Sequence, residues 1–190
     1  HGMTDGKDAV VAFVEACRDG TCYFAEAAMR GLPASDEWKD GLEVEPVMLR
    51  TACDLGLEGL ALLLLPLMPK DTFTGTLGRA TVKAALGLPS EEVGLAIVER
   101  MTGEELAQVE EDRGTVPLLH AAAAKGRAAV LRAIAAKVPR CSLTAPAGYK
   151  RTLLSAALEG AYHRRPVMAL VVAGLLTAEE LEEDPNFESA

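Results

Sequence analysis

Residues 115–138 read TVPLLHAAAAKGRAAVLRAIAAKV, and this stretch predicts two short helices joined by a tight turn. Gly126 interrupts the helical run and marks the turn. Val130 and Ile134 then recur one helical turn apart, so the second helix has an apolar stripe. The two predicted helices cover about residues 117–125 and 128–137.

A hairpin this short cannot bury its stripe alone, because isolated helices of fewer than about 12–15 residues are marginal in water. The pattern around His120 does return along the chain. We call the equivalent residues the anchor positions; they are Glu15, Arg50, Lys83, His120 and Ser155. A second phrase follows each predicted second helix and leads to one large apolar residue, namely Trp38, Phe73, Leu106, Leu143 or Leu181. Two phrases that recur in step predict five stacked units.

The unit resembles the ankyrin repeat, whose pattern is roughly T-P-L-H-x-A-A-x-x-G-x-x-x-V-V-x-x-L-L. The resemblance covers about residues 8–181 and is best in the fourth unit, where His120 stands in the histidine position of the pattern. Other units depart from it, and the turn at residues 159–165 is about two residues longer than expected. The resemblance implies an all-α, ankyrin-type helix-turn-helix solenoid of about five repeats with a C-terminal capping helix. It also implies that His120 satisfies backbone groups.

The chain is therefore expected to form one ankyrin-repeat domain over residues 1–190, with residues 1–3 as a cloning scar. The predicted units cover residues 7–32, 46–67, 79–101, 115–138 and 150–176, and the capping helix covers residues 178–184. An apolar content of 49% with only 4% aromatic residues favours close-packed short helices. The longest apolar run is too short to span a bilayer. Thr-x-Glu-Glu-Leu occurs at residues 102–106 and again at 177–181, which predicts two capped short helices.

Charge is distributed unevenly along the chain. Residues 1–113 carry 10 bases and 21 acids, whereas residues 114–177 carry nine bases and one acid, and the tail from residue 178 carries six acids. Three interpretations stay open. The charges can be solvated helix faces, the basic units can bind an acidic partner, or the acidic tail can fold back and screen the basic patch. Nucleic acid is disfavoured, because the net charge is −9 and no aromatic residues alternate with the bases.

The residues expected to contact a partner lie on the loops between units, or fingers, and on first helices. They are Trp38, Arg50, Phe73, Lys83, Tyr149, Lys150 and Arg151. Trp38 has two interpretations. It can plug the groove between the first two units, or it can be exposed and act as a binding hot spot, where tryptophan is enriched.

The sequence shows no constellation that catalysis would need. Cys17 and Cys53 fall on helix positions where other units have small apolar residues, so we interpret them as buried thiols in a reducing, intracellular and cytoplasmic setting. His120 is expected to be structural, and His163 lies in a basic turn where solvation is expected. No phosphate-binding or dinucleotide motif is present. We therefore expect no catalytic residues, no cofactor and no metal.

These features favour a non-enzymatic protein–protein interaction module, a scaffold or adaptor, that binds its partner on the concave surface of fingers and first helices. The alternative is an inhibitor, an immunity-type protein or a regulatory subunit that binds an enzyme. A third hypothesis, an enzyme of another all-helical fold, would require a pocket that contains His163 and a carboxylate with a perturbed pKa.

Overall fold

The computed structural model describes residues 6–33, 46–107, 117–146, 151–159 and 165–184, and all secondary structure of any length in these ranges is helical. The α-helices are α1 Gly6–Arg18, α2 Cys22–Met29, α3 Pro46–Asp54, α4 Glu58–Leu64, α5 Gly75–Ala85, α6 Glu92–Arg100, α7 Gly103–Ala107, α8 Leu118–Ala124, α9 Ala128–Ala135, α10 Cys141–Thr144, α11 Leu153–Glu159, α12 Arg165–Ala173 and α13 Ala178–Glu182. Two 3₁₀ turns, Leu65–Leu67 and Lys70–Phe73, follow α4.

The turn predicted at Gly126 has the same geometry in three units. Gly20, Gly56 and Gly126 adopt φ values of 68°, 74° and 68°, in the left-handed region that glycine occupies without steric cost. The Gly126 N–H donates to Ala123, and the next N–H, of Arg127, donates to Ala122, at 3.0 and 2.9 Å. These two bonds close the end of the first helix in each hairpin.

The same hydrogen bonds correct the register of the first unit. Gly20 donates to Cys17 just as Gly126 donates to Ala123, so these two acceptors are equivalent. Three residues before Ala123 comes His120, and three residues before Cys17 comes Val14. The anchor position of the first unit is therefore Val14 and not Glu15, which sequence spacing alone assigned one residue too late.

Hairpins pack side by side in chain order. The first helices α3, α5, α8 and α11 contact one another in sequence, and so do the second helices α2, α4, α6 and α9. The apolar stripe lies between them, since Val130 and Ile134 are 1% and 0% exposed and their counterparts Leu60 and Leu64 are fully buried. Burial on this scale contributes about 1.5–3 kcal/mol per large side chain. The array therefore has one continuous core.

A third short helical element follows each second helix and carries the second repeated phrase. It is the Lys70–Phe73 turn, α7, α10 or α13. Phe73, Leu106 and Leu143 are 2%, 4% and 5% exposed, so the large apolar residue of the phrase is a plug in the core. Leu181 of α13 is half-buried. Trp38, which occupies this position in the first unit, lies outside the described residues.

Both Thr-x-Glu-Glu-Leu phrases begin capped helices, as predicted. In α13 the Thr177 hydroxyl accepts from the Glu180 N–H at 3.2 Å, and the Glu180 carboxylate accepts from the Thr177 N–H at 2.7 Å. Thr102 and Glu105 make the same reciprocal pair at the start of α7, with distances of 2.7 and 3.2 Å. Each pair satisfies N–H groups that a helix start leaves without a partner.

Three local features complete the description of the units. Gly75 begins α5 and Gly78 lies inside it, so both glycines belong to a helix. Leu62 is 38% exposed, so α4 is not enclosed on all sides. Tyr23 and Phe24 are 64% and 72% exposed, so the surface of the first unit is partly apolar.

Long cationic side chains connect neighbouring units through backbone carbonyls. Lys137, just beyond α9, donates from Nζ to the carbonyls of Val98, Glu99 and Met101, each at 2.9 Å. These carbonyls lie at the C-terminal end of α6, where four acceptors have no partner within the helix and a positive charge is favoured. Arg127 contacts the turn after α5 in the same way, through Nε to the carbonyl of Leu86 at 3.0 Å.

Candidate partner-binding surface

The predicted partner-binding residues separate into three groups. Trp38, Tyr149 and Lys150 lie outside the described residues. Arg50, Lys83 and Arg151 lie on or next to first helices with side chains that are exposed or half-buried. Phe73 does not lie on the surface at all.

Phe73 was expected on a finger surface and is instead a core residue. Its side chain is 2% exposed, and the Arg100 guanidinium lies 5.5 Å from the centre of its ring. A cation over an aromatic face is an attractive contact. Gly78 packs so closely on the backbone of Phe73 that a Cβ there would overlap the Phe73 carbonyl. The ring is therefore covered from several sides, and a partner cannot reach it in this conformation.

Arg50 and Lys83 lie on the solvent side of adjacent first helices. The Arg50 side chain is 48% exposed and forms an ion pair with Asp54 one turn later, at 3.6 Å. Lys83 occupies the last turn of α5 and is half-buried. Exposed pairs of the Arg50–Asp54 kind contribute little to stability. Both cations are therefore available to a ligand that approaches the row of first helices.

The centre of this row is flat. Ala121 and Ala124, on the exposed side of α8, are both half-buried, and small side chains here keep the surface close to the helix backbone. The four alanines of the sequence thus separate into two pairs, because Ala122 and Ala123 are fully buried. A ligand could approach α8 more closely than it could approach α3 or α5.

Arg151 marks the far end of the row and is held by two contacts. Its guanidinium pairs with Glu159 across α11. Its carbonyl oxygen lies 3.2 Å from Nε2 of His120 in the preceding unit. A carbonyl can only accept, so the neutral His120 ring carries its proton on Nε2. The histidine therefore satisfies a backbone group of the next unit, which is the structural role that we predicted.

Burial controls the ionisation of His120. The side chain is 2% exposed, and Nδ1 has no hydrogen-bond partner among the described residues. Desolvation lowers the pKa of His120, the hydrogen bond to the Arg151 carbonyl opposes this, and the Arg151 charge lowers it further. The ring is therefore held neutral at pH 7 and serves as a joint between units.

One functional residue was missed in the sequence. Arg140 follows the second helix of the fourth unit and donates from Nε to the Glu180 carboxylate at 3.1 Å and from Nη1 to the Leu175 carbonyl at 2.6 Å. The only signal for this contact in the sequence was the opposite charge of residues 114–177, which are basic, and of the tail, which is acidic. Within the described residues, Glu180 of the acidic tail thus contacts the basic fourth unit, in agreement with one of the three open interpretations, and screening of the other bases stays a prediction.

The three buried cysteines show no reactive environment. Cys17, Cys22 and Cys53 are buried and Cys141 is exposed. Desolvation raises the pKa of Cys17 to about 11, and it raises that of Cys53 to about 12. Because the thiolate is the nucleophile, thiols with such pKa values are inert at neutral pH.

Neither a metal site nor a membrane span is found in the described part of the chain. Within the described ranges, no group of three or more His, Cys, Asp and Glu residues is arranged to hold a metal ion. No helix there is long and apolar enough to cross a bilayer. His163, on which the enzyme hypothesis depends, lies outside the described residues.

Comparison with known proteins adds no relative, because no family model, no curated protein and no solved structure matches this chain. Any functional conclusion therefore depends on the geometry of the chain itself.

Proposed function

We propose that this chain is a non-enzymatic protein–protein interaction module, built as a divergent ankyrin-type array of five units. The observation that supports it most directly is the row of first helices α3, α5, α8 and α11, which pack side by side in chain order. Stacked hairpins of this kind present an extended binding surface and leave few enclosed pockets.

The ankyrin assignment is supported by two features. His120 bridges to the backbone of the next unit, and the glycine turns recur with matching dihedral angles and hydrogen bonds. The additional short helical element after α4, α6, α9 and α12, where Phe73, Leu106 and Leu143 are buried, is the main departure from the repeat pattern. We propose that this helix fills the space beneath the loops between units.

The binding surface that we propose consists of Arg50, Lys83, Ala121 and Arg151, together with Tyr149 and Lys150. Positive charge at both ends and a flat alanine centre suit an acidic, elongated segment of a partner protein. Charge at such a surface acts on association rate and specificity more than on affinity. The buried, protonated thiols are compatible with a reducing cytoplasm.

The test is reversal of charge at one end of the row. A partner is captured with the wild-type chain from a lysate of the source organism and purified, and its affinity is then measured. We expect Lys150→Glu with Arg151→Glu to weaken binding by about tenfold, or about 1.4 kcal/mol, and to reduce its dependence on salt.

The matched control places the same charge reversals away from this surface, with Lys125→Glu in the hairpin turn and Arg132→Glu on α9. Both side chains are exposed. We expect this control to leave affinity within about twofold, because exposed charges far from the contact act weakly at physiological salt. Equal affinity of the two double variants would rule out the proposed surface.

A further inference from the structure

The terminal helix α13 is the least buried of the short helices. None of its five residues is buried. Its Leu181 is half-buried, whereas the corresponding Leu106 of α7 is 4% exposed. A cleft of about 160 Å³ lies beside α13; its lining residues are Leu143, Thr144, Thr152, Leu153, Leu176, Glu180, Glu183 and Asp184. Leu181 is not one of these lining residues; Glu180, Glu183 and Asp184 form the acidic side of the cleft, next to α13.

Polar contacts near the surface hold α13 in place. The two carboxylate oxygens of Glu180 accept from Nε and Nη2 of Arg140. The Arg140 side chain is 51% exposed and that of Glu180 is 22% exposed. The Arg140 hydrogen bond, with help from Thr177, lowers the pKa of Glu180 to about 2, so the carboxylate stays charged at neutral pH. Exposed ion pairs are weak, and a five-residue helix is marginal by itself.

The corresponding helix in the third unit is held differently. α7 lies under the fourth unit, and Gly103 at its start is so close to Lys137 that a Cβ there would lie 3.0 Å from the carbonyl carbon and overlap the oxygen. α7 is thus covered by a neighbouring unit, whereas α13 pairs with the exposed Arg140 and buries none of its own residues. Detachment of α13 would expose Arg140 together with the leucines of the cleft, Leu143, Leu153 and Leu176.

The charges on the two sides are complementary. Residues 178–184 contain five acids and no base, and residues 114–177 have a net charge of +8. A bidentate arginine–carboxylate pair also fixes the orientation of the acidic segment, because the guanidinium fork matches the carboxylate geometry. The chain itself thus shows which chemistry this surface accepts, namely an acidic helix that begins with a Thr-Glu cap.

We propose that Arg140 and the cleft formed by Leu143, Leu153 and Leu176 are an acceptor site for an acidic helical segment of a partner protein, and that α13 is its intramolecular occupant. A partner segment binds when it displaces α13. This inference depends on the proposed binding function only in assuming a protein partner, since it concerns a different surface.

The experiment uses the full chain and a fluorescein-labelled synthetic peptide with the sequence of residues 177–184. A tethered segment competes at an effective concentration in the millimolar range, so the wild-type chain should bind the peptide weakly. Glu180→Gln with Leu181→Ala removes both anchors of α13 and leaves the acceptor intact. We expect this variant to bind the peptide at least about fivefold more tightly by fluorescence anisotropy.

Two controls isolate the site. Glu179→Gln removes the same charge from an exposed position of α13 and should leave peptide binding at the wild-type level. Arg140→Gln, added to the anchor-free variant, should abolish the gain. Circular dichroism should show an unchanged fold in the anchor-free variant, because α13 contributes no buried residue.

The inference is overturned if removal of the anchors does not tighten peptide binding, or if the gain survives Arg140→Gln. This result is distinguishable from failure of the proposed function. If the peptide test fails while Lys150→Glu with Arg151→Glu still weakens the captured partner, only the α13 site is rejected. The opposite pattern rejects the first-helix surface and retains the α13 site.

Discussion

Lys137 makes three hydrogen bonds between the third and fourth units, and its removal gives a direct test of how the array is held together. Its ammonium group donates to three carbonyls at 2.9 Å, all at the end of α6. Lys137→Met keeps most of the aliphatic stem and removes the three donors and the charge. The change therefore probes the polar contact with little loss of packing.

The magnitude follows from competing terms. Hydrogen bonds to a charged group contribute about 1.5–3 kcal/mol each when well buried, but this side chain is partly exposed. Ordering a lysine side chain costs about 1.5–2 kcal/mol. The cation also interacts favourably with the end of α6, by about 0.3–1 kcal/mol. We expect Lys137→Met to lower the free energy of unfolding by about 2 kcal/mol, which corresponds to about 4–8 °C in Tm for a chain of this size.

The assay is urea unfolding followed by circular dichroism at pH 7. Lys125→Met is the matched control, because Lys125 is exposed and the described part of the chain shows no side-chain hydrogen bond for it. Loss of a joint between units should also broaden the transition, since stability in stacked arrays depends on interfaces between neighbours. The reasoning is refuted if Lys137→Met and Lys125→Met unfold at the same urea concentration.

Two further predictions concern single residues at contacts between neighbouring units. Gly103→Ala should destabilise the chain by about 1–3 kcal/mol in urea unfolding, because its Cβ would overlap the Lys137 carbonyl. Gly59→Ala is the control, because a Cβ there would make an ordinary 3.4 Å contact, and we expect it to be neutral or stabilising. Equal effects of the two substitutions would contradict this prediction. Folding lowers the pKa of His120 from its ordinary value of 6.5, so the unfolded chain binds the extra proton and stability falls as the pH drops below about 6.5. His120→Gln should lose that decline, and a decline equal to that of the wild type would assign it to another group.

Much of the fold could be read from local patterns. The apolar stripe, the glycine turn and the Thr-Glu cap each depend on residues within one or two helical turns, so their spacing in the sequence is their spacing in space. Gly126 and Thr177 accordingly behave as predicted. The longer turn predicted for the fifth unit contains residues 160–164, which lie outside the described residues.

The candidate site was less predictable. Phe73 occupies the same position in the second repeated phrase as Leu106 and Leu143, and all three side chains are buried. This equivalence was a better guide to the burial of Phe73 than its predicted place in a finger. Glu15 was assigned to the anchor position one residue too late, because spacing between units varies while the hydrogen bonds of the turn do not. Position within a unit was therefore a better guide than distance along the chain.

The sequence by itself determined that the chain is a series of short helices in repeating hairpins, because helix formation, turns and caps depend on neighbours in the chain. Only the tertiary structure decided which unit each cation reaches. Lys137 and Arg140 donate to backbone carbonyls in other units, and every residue offers such an acceptor, so no sequence pattern marks the partner. The hydrogen bonds between units, and the position of α13, are set by the distance between helix ends in the packed array.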